Sequence, residues 1–310
     1  MKLATYLADG EERLGVVDTD HDQVVDARSA HRRAEGSDLP ALASMQALIE
    51  AGPAALETLA GLVVGADDPD RLPLSTTRLA APLPRPRQIR DFLLFEKHVR
   101  NCLAQESRLT GNDRPVPPAW YEFPTYYRGN PSTVVGHDTD IVRPAYTDML
   151  DFELELGCII GRTGKDISAD DALDHVFGFT IFNDVSARDI QMRMAPVGMG
   201  PCKGKDFDTS NVLGPWIVTR DEIGDPYDLQ MTARVNGEEW GSGSSGDMQF
   251  NWSEVIAFVS QSETLHPGEV LGSGTVGTGC GLEQGRFLED GDVIELEIER
   301  VGTLRNKVTR

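Results

Sequence analysis

Apolar and polar positions alternate most regularly at Leu150-Asp151-Phe152-Glu153-Leu154-Glu155-Leu156. The pattern puts Leu150, Phe152, Leu154 and Leu156 on one face of a strand and Asp151, Glu153 and Glu155 on the other. The run continues through Gly157-Cys158-Ile159-Ile160, which is apolar on both faces and predicts a strand covered on both sides. Further strand patterns fall at residues 177–182, 216–219, 229–235, 270–274 and 293–298. Near the start, residues 3–7, 14–17 and 23–25 form short strands around the turn signals Asp9-Gly10 and Asp20-His21-Asp22. Helical spacing marks residues 40–62, broken at Gly52-Pro53, and residues 170–176. It also marks residues 252–262, where Asn251 and Glu254 are spaced as a capping box. Phe92, Phe95, Val99 and Leu103 recur at helical intervals, predicting one helix from Asp91 to about Glu106. Residues 107–133 carry Pro, Gly and aromatics without period and predict a long functional loop. Residues 241–246, a Gly/Ser run, predict a short flexible loop.

Strands and helices do not alternate regularly, so a doubly wound sheet is disfavoured. The expected class is mainly β with some α (α+β). Three prolines within Pro82-Leu83-Pro84-Arg85-Pro86-Arg87 exclude helix or central strand. They divide the chain into a small β-rich N-terminal domain at 1–80, a connector at 81–90 and a main domain at 91–310.

Composition narrows the partners. Fifty Asp and Glu against 29 Lys and Arg give a net charge of −21 over 310 residues. That excludes the clustered basic surface that nucleic acid or an anionic membrane requires. An acidic substrate would have to be held by local Arg or Lys. The four cysteines form no CxxC pair, so a reducing, cytoplasmic setting is expected. The first ten residues read as a strand and turn and not as a signal peptide, and no window reaches a membrane-spanning length.

The alternating acids at 293–299 fit a solvated face, but those at 153 and 155 do not. Two carboxylates about 7 Å apart on a buried strand are costly unless paired or bound to a cation. A third acid, Asp184, ends the apolar run at 177–182. Oxygen donors without grouped Cys or His suit a hard cation such as Mg2+, Mn2+ or Ca2+. The remaining histidines (His21, His31, His137, His175, His266) fit surface or capping roles, and Cys102 fits packing.

Several blocks together resemble the fumarylacetoacetate hydrolase family from about residue 85 onward. They are residues 150–155, Phe182-Asn183-Asp184-Val185-Ser186-Ala187-Arg188-Asp189-Ile190-Gln191, Gly204-Lys205-Asp206-Phe207-Asp208 and Gly272-Ser273-Gly274-Thr275-Val276. Gly291-Asp292-Val293 and residues 302–306 resemble its C-terminal end. The resemblance implies a mixed β-sandwich roll and a homodimer. It implies Glu153, Glu155 and Asp184 as metal ligands, with Asp91 as a further ligand. It makes His98 the catalytic base, Lys205 a stabiliser of the oxyanion, and Arg188, Gln191, Tyr127 and Thr275 substrate contacts. A distal Glu partners the His in long members. Glu289 and Glu283 are the candidates for that place here, Glu289 taken as the catalytic one, with Glu106 behind both. Two positions depart from the pattern. Asn101 stands where short members carry Glu, and Leu93 where long members carry Tyr.

The implied activity is metal-dependent hydrolysis of a C–C bond in a 2,4-diketo acid or acylpyruvate. Within the family the alternatives are an oxaloacetate-type decarboxylase and a dienoate isomerase, and outside it a non-catalytic metal-binding β protein. An acid partner on His98 would mark water activation and so favour hydrolysis. The literal GxGxxG at 272–277 is set aside, because the Gly-rich sequence after it cannot open a helix.

Overall fold

The computed structural model of the chain describes residues 1–111 and 113–310. A mixed sheet of 11 strands runs through the molecule. In spatial order its path is Arg71–Pro73, Gln23–Asp26, Glu11–Asp18, Lys2–Ala8, Asn211–Thr219, Val176–Asp184, Leu154–Ile160, Glu269–Gly272, Gln88–Phe92 and Tyr126–Gly129. Val134–Val135 pairs parallel to Asn211–Thr219 off this path. A second sheet of five strands orders Glu238–Ser244, Gln230–Val235, Val293–Ile298, Gly302–Thr309 and Ile141–Val142. The expected α+β class holds.

The Leu154–Ile160 strand is buried on both faces, as its pattern dictates. Leu154, Leu156, Cys158 and Ile160 point into the layer between the two sheets, against Met231, Ala233, Leu296 and the helix Trp252–Val259. Ile159 points the other way, into a core built with Leu48, Ile49 and Leu59 of the N-terminal helices Met45–Ala51 and Pro53–Val64. The Val293–Ile298 strand buries only alternate residues and leaves Glu295 and Glu297 half-exposed, so its acids are solvated. The capping box at Asn251 and Glu254 forms as expected. Trp252 is fully buried, with its ring centroid 6.3 Å from that of Phe179. Trp252→Ala should therefore cost about 3–5 kcal/mol. A urea unfolding midpoint within error of the parent chain would contradict that placement.

Three expectations change. Asp91 lies on the strand Gln88–Phe92, which pairs with Glu269–Gly272 and Tyr126–Gly129, and the helix begins only at Glu96 (Glu96–Thr110). Asp91 and His98 therefore do not share a helix face. Phe92 and Phe95 keep the apolar spacing because both are buried before the helix starts. The Gly/Ser run is the strand Glu238–Ser244, not a loop. Its glycines have a packing reason: a Cβ on Gly241 would lie 1.8 Å from the Thr278 carbonyl oxygen, and one on Gly243 would lie 2.6 Å from Val276. The stretch 107–133 is partly ordered, holding the end of the Glu96–Thr110 helix, a turn of 3-10 helix at Pro118–Tyr121 and the strand Tyr126–Gly129. Lys2–Ala8 pairs with Asn211–Thr219, so the first three strands are continuous with the main sheet. Among the described residues no helix is long and apolar enough to cross a membrane.

Candidate active site

On one side of the large sheet the strands Gln88–Phe92 and Val176–Asp184 end and Leu154–Ile160 begins. Gln88–Phe92 delivers Asp91, Val176–Asp184 delivers Asp184, and the antiparallel Leu154–Ile160 delivers Glu155. Glu153 precedes that strand and bridges to Cys280. One carboxylate oxygen from each of Asp91, Glu153, Glu155 and Asp184 falls within a common span of 4.8 Å, and all four residues are buried. Gly272 leaves room for them: a Cβ there would stand 2.6 Å from Asp91 Oδ1 and 2.7 Å from Glu155 Oε2.

Four clustered acids are partly neutralised from within. Lys205 Nζ donates to Glu153 Oε2 at 2.5 Å and also to Asp184. Arg188 donates to Glu153 Oε1 at 2.7 Å and to Asp151 at 2.8 Å. Asp151 is itself fixed by the amides of Gly281 and Leu282. Burial would raise Glu153, but Arg188 and Lys205 outweigh it and hold this carboxyl below the usual range. The other three go the opposite way. Burial, reinforced by Glu155, pushes Asp91 well up. Burial with Asp184 and Glu153 does the same to Glu155, and burial raises Asp184 despite Lys205. Asp91 Oδ1, Glu155 Oε1 and Asp184 Oδ1 have no hydrogen-bond partner although buried. Unpartnered anionic oxygens converging on one point are what a hard divalent cation satisfies, and the all-oxygen donor set matches Mg2+ or Mn2+ chemistry.

His98 stands beside this cluster on the first turn of its helix. Its Nε2 is 3.8 Å from Glu153 Oε1, and its Nδ1 is 2.8 Å from Glu283 Oε1. Glu283 is in turn held by the Thr278 amide at 2.7 Å and the Asn101 side-chain nitrogen at 2.6 Å. The acid beside His98 is thus Glu283, not Glu289. Glu289 is exposed in the turn before Val293–Ile298. Glu106 lines the cavity described below but pairs with Arg114 and not with His98. Asn101, the departure in the helix, orients the acid that arrives from 182 residues away. With Glu283 accepting on both oxygens, Nδ1 carries the proton and Nε2 faces the cluster. Burial works against a charged His98, but its contacts with Cys280 and Glu283 outweigh it and raise the ring above its ordinary value. The buried Cys280 thiol is itself pushed well up and neutral, so Glu283 is the charge that matters.

A cavity of about 430 Å³ opens onto both groups. Gln191 lines it and accepts from Arg188 at 3.0 Å. Tyr127 lines it too and donates to Asp184 Oδ2 at 2.7 Å. Thr275 is buried in its wall with an unpartnered hydroxyl. The structure thus gathers Asp91, His98, Tyr127, Glu153, Glu155, Asp184, Arg188, Gln191, Lys205 and Thr275 in one place. It gives parts to Asp151, which accepts from Arg188, and to Asn101, which donates to Glu283. Asp151 belonged to the alternating run, and its burial on that strand was the available signal.

The comparisons agree with this geometry. A model described as "Fumarylacetoacetate (FAA) hydrolase C-terminal" matches residues 88–309. Over 238 residues the chain is 39% identical to "Oxaloacetate tautomerase FAHD2A, mitochondrial" of Homo sapiens, covering 76% of this chain and 71% of that one. It is 38% identical to "Oxaloacetate tautomerase YisK" of Bacillus subtilis, covering 76% and 74%. A solved maleylpyruvate hydrolase from Sphingobium sp. SYK-6, in complex with manganese (II) ion and pyruvate, superposes with a TM-score of 0.76 at 26% identity over 100% of this chain and 99% of that one.

Proposed function

The chain belongs to the fumarylacetoacetate hydrolase family, and from that premise we propose that it is a divalent-cation-dependent enzyme interconverting the keto and enol forms of an oxaloacetate-type 2-keto acid. The observation that carries this reading is the His98–Glu283 pair, with its Nε2 turned to the carboxylate cluster. Two relatives named oxaloacetate tautomerases, near 40% identity, support the substrate class. Asp91, Glu153, Glu155 and Asp184 would hold Mg2+ or Mn2+. The bound cation supplies Lewis-acid polarisation of the substrate's carbonyl and carboxylate oxygens.

The protein's own groups do the rest. His98 Nε2 takes the proton from the carbon next to the keto group while the enolate oxygen takes one from solvent to give the enol; in reverse the enol oxygen gives its proton back to solvent and His98 returns one to the carbon. Glu283 keeps Nδ1 protonated and steadies the charged ring. A divalent cation adjacent to Glu153 opposes that ring charge and so favours the neutral base. Thr275 and the amide nitrogen of Gln191 are the remaining donors for the substrate's acid groups. Arg188, Lys205 and a cation held at the cluster would together offset the negative charge that repels an acidic substrate from a protein of net charge −21.

An acid partner on His98 was to single out hydrolysis. It does not, because enolisation needs the same base. Decarboxylation needs none, so the buried dyad counts against it. Hydrolysis of an acylpyruvate stays as the second reading, supported by the likeness to maleylpyruvate hydrolase. Oxaloacetate and a small acylpyruvate panel should be assayed with Mg2+, Mn2+ or chelator. The expected result is cation-dependent decay of the oxaloacetate enol absorbance, beyond the rate with His98→Ala, together with deuterium exchange at the methylene carbon. Hydrolysed acylpyruvates without accelerated enol decay would transfer the assignment to the second reading.

A further inference from the structure

Behind the catalytic face of His98 lies a second set of donors with different chemistry. Cys102 is one turn after His98 on the same helix, and Cys280 leads into the loop that carries Glu283. Cys102 Sγ is 3.7 Å from His98 Nδ1, and Cys280 Sγ is 3.9 Å from the same nitrogen and 3.6 Å from Glu283 Oε1. Donor atoms of His98, Cys102 and Cys280 all lie within 4.8 Å of one another.

Cys102 Sγ, 3.7 Å from Nε2 as well, lies against the ring face, and turning it toward the Nδ1 side brings these separations to those of a tetrahedral cage. Zinc bonds of about 2.3 Å to sulfur and about 2.0–2.1 Å to nitrogen or oxygen, at tetrahedral angles, put sulfur about 3.5 Å from its neighbouring donor. The sulfur contacts here are within a few tenths of an ångström of that figure. The 2.8 Å between His98 Nδ1 and Glu283 Oε1 is shorter because a proton occupies the place a metal ion would take. Cys102 is half-buried and reaches the cavity wall, which gives an ion a route in. The oxygen cluster and this set sort cations by softness: carboxylates suit Mg2+ and Mn2+, thiolates suit zinc.

We infer that His98, Cys102, Cys280 and Glu283 form an inhibitory site for a thiophilic divalent cation such as Zn2+, which captures the dyad by replacing the proton between His98 and Glu283. Each thiol releases its proton to solvent on binding. The site concerns binding and holds whichever keto acid the enzyme turns over.

Cobalt(II) is the probe. Titrated into the full chain under a non-thiol reductant, it should produce a sulfur-to-cobalt charge-transfer band that zinc abolishes. Cys102→Ser should lose the band while keeping the parent's Mg2+-supported turnover. Its zinc concentration for half inhibition should rise by more than the roughly 10–100-fold that loss of an outer-shell partner costs. Cys280→Ser should likewise lose the band. Should that fully buried position fail to fold, Cys102→Ser decides alone. Cobalt binding without a sulfur band, or equal zinc inhibition of parent and Cys102→Ser, would overturn the site.

Discussion

Alanine in place of His98 is expected to cut turnover by about 10²–10⁴-fold while divalent-cation affinity stays at the parent value. The separation follows from geometry. His98 contributes no atom to the cluster of Asp91, Glu153, Glu155 and Asp184, and its Nε2 stops 3.8 Å short of Glu153. Its other nitrogen is committed to Glu283. Glu283→Gln should give a smaller loss, because glutamine still accepts from Nδ1 but no longer supplies the charge that steadies the imidazolium. Glu289→Gln, on the exposed turn, should leave kcat and KM unchanged. Steady-state kinetics beside calorimetric Mn2+ titration checks all three. Cation affinity falling in step with turnover would remove His98 from the proton-transfer role and place it among the ligands.

Glu155→Gln should abolish turnover and reverse the usual sign of a buried substitution. Without cation, Glu155 is fully buried between Asp184 and Glu153, and those neighbours together with burial push its carboxyl well above the usual range. A neutral amide of the same size removes that repulsion, so in chelator the variant should melt at or above the parent's temperature. With cation the order inverts. The parent gains about 2.7 kcal/mol at a cation concentration 100 times its dissociation constant. The variant, short one ligand, gains far less. Thermal unfolding with Mn2+ and with chelator reads both halves. A variant less stable than the parent in chelator, with its Mn2+ gain intact, would show that the cluster does not hold the ion.

Much of this site is readable along the chain because its chemistry sits on short, patterned strands. The alternation at 150–156 and its apolar continuation announce buried acids, and the apolar run ending in Asp184 announces another. What stays hidden depends on pairing between distant segments. Asp91 occupies a strand of only five residues whose partners begin at Tyr126 and Glu269. The spacing of Phe92, Phe95 and Val99 therefore mimics a helix that starts later. Glu283 and Glu289 are both acids in a polar, Gly-containing loop. Only the fold of that loop, tied through Thr278 and Asn101, turns one of them toward His98. The Gly/Ser strand fails for a related reason. Small residues signal flexibility in isolation, whereas here they make way for the Val276–Thr278 backbone crossing above them.

The two ends of the large sheet bear on how copies of this chain meet one another. An open sheet offers unpaired backbone groups at each edge, a template on which another chain can add strands. The border at one end is the three-residue Arg71–Pro73, whose proline has no N–H to offer. At the other, Tyr126–Gly129 lies two residues from Pro124 and two from Pro131, and exposes Arg128. Lys2–Ala8, meanwhile, covers the flank of Asn211–Thr219, whose Val212, Leu213, Ile217 and Val218 are fully buried. The amino-terminal strands thus move the sheet's border away from its most apolar strand to one that is short, charged and proline-stopped, and the enzyme can carry a long sheet at high concentration without offering it for growth.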